Sequence, residues 1–281
     1  MDVADVMTPR EEVVTVEIPG TRDDALEYLK NRAFSSVPAI KQTDEGEMYR
    51  GIVSRGALIE NPGEDQLALL AADIPPISAD TSLSDVAERM LADGQRRLPV
   101  SDDHVLEGMV TLTDVVRAIA RGEGDSDLGV DAVARTEINC VYTGTPLTVA
   151  ERELAHAGVP YAIVLDEEGV AGMLTEVDIL DVSRVVEGET DTGESIADED
   201  DDWAWEGIKA VGNRYMPTRN VEIPTAPVAT FLTGDLVTVN GQHTVRDAAQ
   251  LMIEHDIEQI PVFNAGELAG IVQDIHLLEA L

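Results

Sequence analysis

Residues 97–114 read RLPVSDDHVLEGMVTLTD, in which an apolar residue precedes a proline and a later glycine opens a second apolar stretch that ends in threonine. A similar arrangement occurs four times along the chain. Its prolines are Pro38, Pro99, Pro160 and Pro261, and its glycines are Gly51, Gly108, Gly172 and Gly270. Regular repetition of this kind indicates an array of similar structural units.

A helix start precedes three of the four copies by the same distance. Thr21, Ser82 and Thr244 each lie 16 residues before the apolar residue of the proline pair, and an aspartate follows each of them three residues later. A hydroxyl at the N-cap and an acid at the third helical position together satisfy free N–H groups at a helix start. Apolar residues then recur at helical spacing, which predicts a helix with one buried face.

The third copy departs from this pattern. Pro146 stands where a helix should open, and we predict a shorter helix that runs through Leu154 and Ala155. Pro160 is followed by an unusually long apolar strand, residues 161–165.

Each copy predicts a strand, a capped helix, two strands and a second helix. The expected fold class is therefore α/β (α+β), with tandem repeats of β-α-β-β-α type. Units this small bury too little apolar surface alone, so we expect consecutive repeats to pair into two modules. Module 1 covers residues 1–125, with repeats 1–60 and 68–125; module 2 covers residues 131–281, with repeats 131–186 and 229–281 and an insertion at 187–228.

The charge of the chain excludes some partners. It has 281 residues, with 19 Lys and Arg against 55 Asp and Glu, a formal net charge of −36. A field of this sign repels phosphates and anionic lipids, which disfavours general nucleic-acid binding and a membrane-surface role. The apolar fraction of 44% argues against disorder over most of the chain. We interpret the acidity as a halophilic-type surface, adapted to salt that screens its charges.

The cysteine content and the length of the apolar runs indicate where in the cell the protein is expected to be. Cys140 is the only cysteine, so we expect neither an intramolecular disulfide nor a cysteine zinc site. The first residues form no apolar leader, and aliphatic runs such as 67–72 are far shorter than the ~18 residues of a membrane span. We therefore expect a cytoplasmic protein with no membrane segment.

The fourfold pattern resembles the CBS domain, whose copies pair into Bateman modules, and the resemblance covers nearly all of the chain. It implies β-α-β-β-α units that bury their sheets face to face in pairs. It also implies an adenosine ligand, such as AMP, ADP, ATP or S-adenosylmethionine, in clefts between paired repeats. Such modules regulate an associated protein, which here is unidentified.

The resemblance also implies a ribose-binding motif, Gly-h-h-Ser/Thr-x-x-Asp, where h is apolar. Repeat two matches it with Thr111 and Asp114, and repeat three matches it with Thr175 and Asp178. An ionised carboxylate at a helix start can accept both ribose hydroxyls in charge-assisted hydrogen bonds, and the helix N-terminus favours an anion. The alternative is that both pairs are capping boxes and nothing more.

Repeats one and four depart from this motif. Ala57 and His276 stand at the aspartate position, so we expect these repeats to lack a ribose site of their own. Each module then keeps one competent cleft.

Residues just before the second strand often contact ligand phosphates in proteins that this chain resembles. Repeat two offers Arg96 and Arg97 there, and repeat one offers Phe34, Ser35 and Ser36. The alternative is a surface arginine pair that counters nearby acids.

The second module lacks such cations. Repeat three has Tyr161 near its strand, and repeat four presents Glu258. We expect this cleft to prefer an adenosine without dense negative charge, if it binds a ligand.

The insertion changes character along its length. Residues 187–202 hold nine acids and no Lys, Arg or His, which indicates a solvated linker. Trp203 and Trp205 follow, in a short amphipathic stretch. This stretch either folds back as core or docks a partner protein, since Trp is a favoured interface anchor.

The sequence bears on three classes of function: a regulatory sensor, an enzyme and a scaffold. The resemblance favours a regulatory sensor with no catalytic domain, no cofactor and no metal, with a homodimer as an open possibility. An enzyme is disfavoured because the five histidines form no metal-spaced pair and no nucleophile motif stands in its expected context. A scaffold that only joins proteins would have no need of a Thr-x-x-Asp motif in two repeats.

Overall fold

The structure, a computed structural model, describes residues 1–29, 36–44, 46–54, 57–58, 61, 64–182, 184–186 and 220–281. Two predicted ligand-binding residues, Phe34 and Ser35, lie outside these ranges, as do residues 187–219 of the insertion. The roles predicted for them stay predictions.

The fold is a mixed α+β array. The helices are α1 Arg22–Leu29, α2 Leu67–Leu70, α3 Leu83–Asp93, α4 Leu112–Ala120, α5 Leu147–Ala157, α6 Glu176–Val182, α7 Val245–His255 and α8 Asp274–Leu277, with 3-10 turns at Val3–Asp5, Arg10–Glu12, Val130–Ala132, Val228–Thr230 and Leu278–Ala280. The strands are β1 Thr8–Pro9, β2 Val16–Glu17, β3 Ser36–Thr43, β4 Gly46–Ser54, β5 Arg97–Asp102, β6 Val105–Thr111, β7 Cys140–Tyr142, β8 Tyr161–Leu165, β9 Val170–Thr175, β10 Arg184–Val186, β11 Asn220–Glu222, β12 Gln259–Asn264 and β13 Glu267–Gln273. Within the described ranges, no helix is long and apolar enough to cross a membrane.

The first helices of repeats two, three and four have the same length. Helices α3, α5 and α7 each contain 11 residues. The predicted N-caps Ser82 and Thr244 are confirmed, since each hydroxyl accepts a hydrogen bond from the third helical N–H. The prediction of a shorter helix in repeat three was wrong. Pro146 opens α5, where a backbone N–H would have no helical partner, and Gly158 ends it in the left-handed conformation.

In repeat three the proline does not occupy the same position of the β-hairpin as in repeat two. In repeat two the proline pairs with Met109 across the hairpin, whereas in repeat three Ile163 pairs with the equivalent Met173. Pro160 instead occupies the position of Arg96, because the carbonyl of each accepts a hydrogen bond from the first residue of the following helix, at 3.0 Å and 2.8 Å. The even spacing of the first three prolines therefore does not reflect equivalent positions in repeat three.

The strands of repeats one and two form one six-stranded sheet. Strands β1, β6, β4, β3 and β2 follow in that order, and β5 also pairs with β6. Antiparallel pairing of Met48 with Val105 joins the two hairpins, and a small core packs between them. That core consists of Ile40, Tyr49, Ile52, Leu106 and Met109. Repeat three contributes a separate sheet of β7, β8 and β9, and repeat four contributes the pair β12 and β13.

The motif glycine of every repeat lies beneath an extended segment from a neighbouring repeat. A Cβ atom built at Gly51, Gly108, Gly172 or Gly270 would lie 2.5–2.9 Å from the carbonyl oxygen of Ala72, Thr8, Thr233 or Arg135, respectively. The opening segments of repeats one and two cross each other's glycines in this way. The opening segments of repeats three and four do the same. Only glycine permits so close an approach of two backbones.

The chain divides into two compact units. The first comprises residues 1–136 and 237–281, and the second comprises residues 137–236. In the first unit α4 packs mainly on α7, so repeats two and four share one core. This division differs from the predicted modules, because the opening segments of repeats three and four are exchanged and repeat four packs on repeat two. The pairing of repeats three and four into one module stays a prediction.

Candidate functional site

Thr111 and Asp114 meet at the start of α4. The Thr111 N–H and hydroxyl both donate to Asp114 Oδ2, at 2.9 Å and 2.6 Å, and the Asp114 N–H donates back to the Thr111 hydroxyl at 3.3 Å. The pair is therefore a capping box, as one of the two predicted interpretations requires. Asp114 is 7% exposed, which makes it one of the few buried acids of the described chain.

The second carboxylate oxygen of Asp114 faces a different partner. Arg117, one turn along α4, donates to Asp114 Oδ1 at 3.0 Å, and about half of the Arg117 side chain is exposed. An ion pair of this kind, with an exposed partner, is weak. Oδ1 is thus the oxygen of Asp114 at which another donor can compete.

Arg97 joins this cap to repeat one. It stands opposite Thr111 in the β5–β6 ladder and donates to the hydroxyl of Ser36 at 3.1 Å and to its carbonyl at 3.4 Å. The β5–β6 register therefore places Arg97, bonded to Ser36 of repeat one, opposite Thr111 of the buried cap, where repeats one and two join. We name Ser36, Arg97, Thr111 and Asp114 the junction site.

Arg96 points to another repeat. Its guanidinium binds both carboxylate oxygens of Asp274 in repeat four, at 3.2 Å and 2.5 Å, and also contacts Glu258 at 3.1 Å. Burial would lower the pKa of Arg96, but the hydrogen bonds and charges of the two acids raise it above its ordinary value. The sequence placed both arginines at one candidate phosphate site, whereas the structure turns Arg97 toward repeat one and Arg96 toward repeat four.

Repeat three contains the second ribose motif in the other unit. The Thr175 N–H and hydroxyl donate to Asp178 Oδ2 at 2.8 Å and 2.7 Å, and Asp178 Oδ1 has no hydrogen-bond partner among the described residues. Tyr161 lies opposite Thr175 in the ladder and is buried. Glu258, which was predicted to complete this cleft, lies in the first unit beside Arg96. A shared role for these four residues stays a prediction.

The two repeats without the aspartate still form a local hydrogen bond of the capping type at the corresponding position. In repeat one the Ala57 N–H donates to the Ser54 hydroxyl at 3.1 Å, and in repeat four the Gln273 N–H donates to His276 Nδ1 at 3.2 Å. Burial lowers the pKa of His276 and favours the neutral ring that can accept this bond. Capping therefore does not require an aspartate, and it does not by itself explain the carboxylates of repeats two and three.

A family comparison accounts for all four repeats. The model of the CBS domain matches residues 3–64, 68–121, 130–184 and 228–281. The chain belongs to the CBS domain family. The matched ranges place the junction site in the first two CBS repeats and the Asp178 motif in the third.

Similar proteins extend over almost the whole chain. The uncharacterized protein MJ1404 of Methanocaldococcus jannaschii is 24% identical over 279 residues, which cover 99% of this chain and 61% of that protein. MJ1225 of the same organism is 22% identical over 187 residues, covering 60% of this chain and 66% of that protein. The chain thus spans less than two thirds of the length of these curated relatives.

Solved structures share the CBS arrangement. An uncharacterized conserved protein from Pyrococcus horikoshii has a TM-score of 0.69 and 24% identity, with 99% of each chain covered. The crystal structure of MJ1225, described as a candidate archaeal homologue of g-AMPK, has a TM-score of 0.67 and 15% identity, also with 99% of each chain covered. At these identities the comparison shows a shared fold.

Two features of the site were missed by sequence reasoning. Asp274 and Arg117 were not singled out, although Asp274 is buried and holds Arg96. Arg117 had a local signal, since it follows Asp114 at a spacing that allows an ion pair on a helix. Asp274 had none, because its partner lies 178 residues away in the chain.

Proposed function

We propose that this protein is a regulatory sensor that binds an adenosine-containing ligand at the junction site and controls a partner protein. AMP, ADP, ATP and S-adenosylmethionine are the candidate ligands. The observation that carries the proposal is the strand register that places Arg97, bonded to Ser36 of repeat one, opposite Thr111 of the Thr111–Asp114 cap in repeat two.

The chemistry of the four side chains suits a nucleotide. Ribose hydroxyls are donors that an ionised carboxylate accepts in strong hydrogen bonds, and Asp114 Oδ1 is held only by an exposed arginine. A guanidinium matches the geometry of phosphate oxygens, which assigns the phosphate to Arg97. In a chain of charge −36, this local cation is what permits an anionic ligand to bind.

A scaffold without a small-molecule ligand is the alternative. It would need neither a cation at the repeat junction nor carboxylates beyond the cap. Adenosine, AMP and ATP would then fail to bind at either low or high salt. Purified protein that releases a purine nucleotide on denaturation would exclude this alternative, and mass spectrometry of the released molecules makes the measurement.

Arg97→Ala is expected to lower the affinity for AMP and ATP by about 10-fold or more and to leave adenosine within about 2-fold. A charge-assisted hydrogen bond contributes ~1.5–3 kcal/mol, and ~1.4 kcal/mol is one decade of affinity. Arg50→Ala, at an exposed position of β4, removes the same charge elsewhere and should change neither affinity. Isothermal titration calorimetry checks this, and equal losses for AMP and adenosine would contradict the assignment of Arg97 to phosphate.

Asp178→Ala is expected to weaken an adenosine ligand bound in repeat three more than Glu258→Ala does. Asp178 keeps a carboxylate oxygen without a described partner, whereas Glu258 is already bound to Arg96. Calorimetry of both variants ranks the two residues. The opposite ranking would remove Asp178 from the ligand site.

A further inference from the structure

Arg117 lies between the junction site and a second group of charges. On one side it donates to Asp114 Oδ1. On the other side it lines a cavity of about 90 Å³ between α4 of repeat two and the end of α7 in repeat four. Asp256, Glu258 and Asp274 also line this cavity, and we name these three the acidic wall.

The acidic wall has more negative charge than its described partner neutralises. Arg96 binds Asp274 and Glu258, so three carboxylates face one guanidinium. Burial raises the pKa of Glu258 above its ordinary value. The negative charge of Asp274 raises this pKa further, whereas Arg96 lowers it in part. A second cation that reached this wall would be stabilised there.

Of the two oxygens of the Asp114 carboxylate, Oδ1, which Arg117 contacts, is the more weakly held. Oδ2 accepts two hydrogen bonds from the helix cap, but Oδ1 accepts one bond from a half-exposed side chain. Ribose hydroxyls that bind Oδ1 compete directly with Arg117. A displaced Arg117 does not need to enter solvent, because its side chain already borders the acidic wall.

We propose that Arg117 couples ligand binding at the junction site to the packing of CBS repeat four on repeat two, by moving from Asp114 to the acidic wall when ribose binds. This inference rests on the proposed function and adds its regulatory step. The ligand itself touches repeats one and two, and repeat four responds through one side chain. Coupling is reciprocal, so the acidic wall also strengthens ligand binding.

A double-mutant cycle tests the coupling. All proteins in the cycle carry Asp178→Ala, so that the junction site holds the only complete ribose motif of the sequence. Adenosine is the probe because it carries no phosphate that the acidic wall would repel. Glu258→Gln is expected to lower adenosine affinity about 5-fold or more, in the range of ordinary coupling. In an Arg117→Ala background, Glu258→Gln is expected to have no effect. Glu254→Gln on the outer face of α7, away from this cavity, is the matched control and should have none in either background.

Hydrogen exchange of α7 gives a second readout, because a ligand effect confined to the junction site would not change the protection of this helix. Adenosine is expected to increase the protection of residues 245–255 in the protein with Arg117 and to leave it unchanged in Arg117→Ala. Equal effects of Glu258→Gln in both backgrounds, or no effect in either, would overturn the inference while the proposed function stands. If adenosine, AMP and ATP all fail to bind the wild-type protein, the proposed function and this inference both fall.

Discussion

Asp114→Ala is expected to lower the affinity of the junction site for AMP and ATP about 10-fold to 100-fold. The carboxylate is buried, and a hydrogen bond to a charged group contributes ~1.5–3 kcal/mol. Each ~1.4 kcal/mol changes the dissociation constant tenfold. Unlike the loss of Arg97, this loss should extend equally to adenosine, because ribose is common to all three ligands.

Stability has to be separated from affinity in this test, because Asp114 also caps α4. Asp247→Ala is the matched control. Asp247 accepts the Thr244 N–H at 2.8 Å and donates its own N–H to the Thr244 hydroxyl at 3.1 Å, in a capping box of the same type at the start of α7 in repeat four. Both variants should lose roughly 1 kcal/mol of stability. Calorimetric titration should then show an affinity loss for Asp114→Ala alone. Equal ligand affinities of the two variants would show that the Thr111–Asp114 motif only caps the helix.

Gly108→Ala is expected to destabilise the protein by about 1–3 kcal/mol, as overpacking at a closed contact does. The added Cβ would lie 2.5 Å from the carbonyl oxygen of Thr8 and 3.1 Å from Met7 Sδ. The crossing segment must move, and β1 then loses its pairing with β6. Because β1 comes from repeat one and β6 from repeat two, losing this pairing weakens the packing between the two repeats that form the junction site.

Gly129→Ala is the matched control for this substitution. Gly129 has a φ of −65°, and nothing lies within 4 Å of a Cβ built on it. Alanine there should be neutral or stabilising by ~0.4–1 kcal/mol, since it restricts the unfolded chain. Thermal unfolding followed by circular dichroism compares the two variants. An unchanged unfolding midpoint for Gly108→Ala would show that the crossing segment can move aside without a measurable loss of stability.

The elements of the repeats were largely predictable, because their signals are local. The N-caps Ser82 and Thr244 and the buried faces of α3 and α7 follow from residues within one helix. Repeat three was the exception. Pro160 matched the other prolines in spacing, but the hydrogen bonds between β8 and β9 place Ile163 at that position. A proline is a signal of one residue, whereas register depends on every pair in the ladder.

The candidate site was predictable in its residues but not in their arrangement. The recurrence of glycine, threonine and aspartate identified Thr111 and Asp114. The same motif gave no indication that its glycine lies beneath a crossing backbone, or that Arg117 would occupy the second oxygen of Asp114. Both contacts bring together groups whose approach depends on how the segments pack.

By itself, the sequence determined that this protein is an array of four CBS repeats, where most of its described helices begin, and which repeats carry an aspartate at the position that the CBS resemblance associates with ribose. These properties depend on residue order and on spacings of a few residues, which local hydrogen bonding and helical periodicity translate directly into structure. Only the tertiary structure decided that Arg97 turns to Ser36 while its neighbour Arg96 turns to Asp274, and that repeat four packs on repeat two. Arg96 lies at a bend just before β5, whereas Arg97 is the first residue of that strand, and packing between distant segments determines which partner each of them meets.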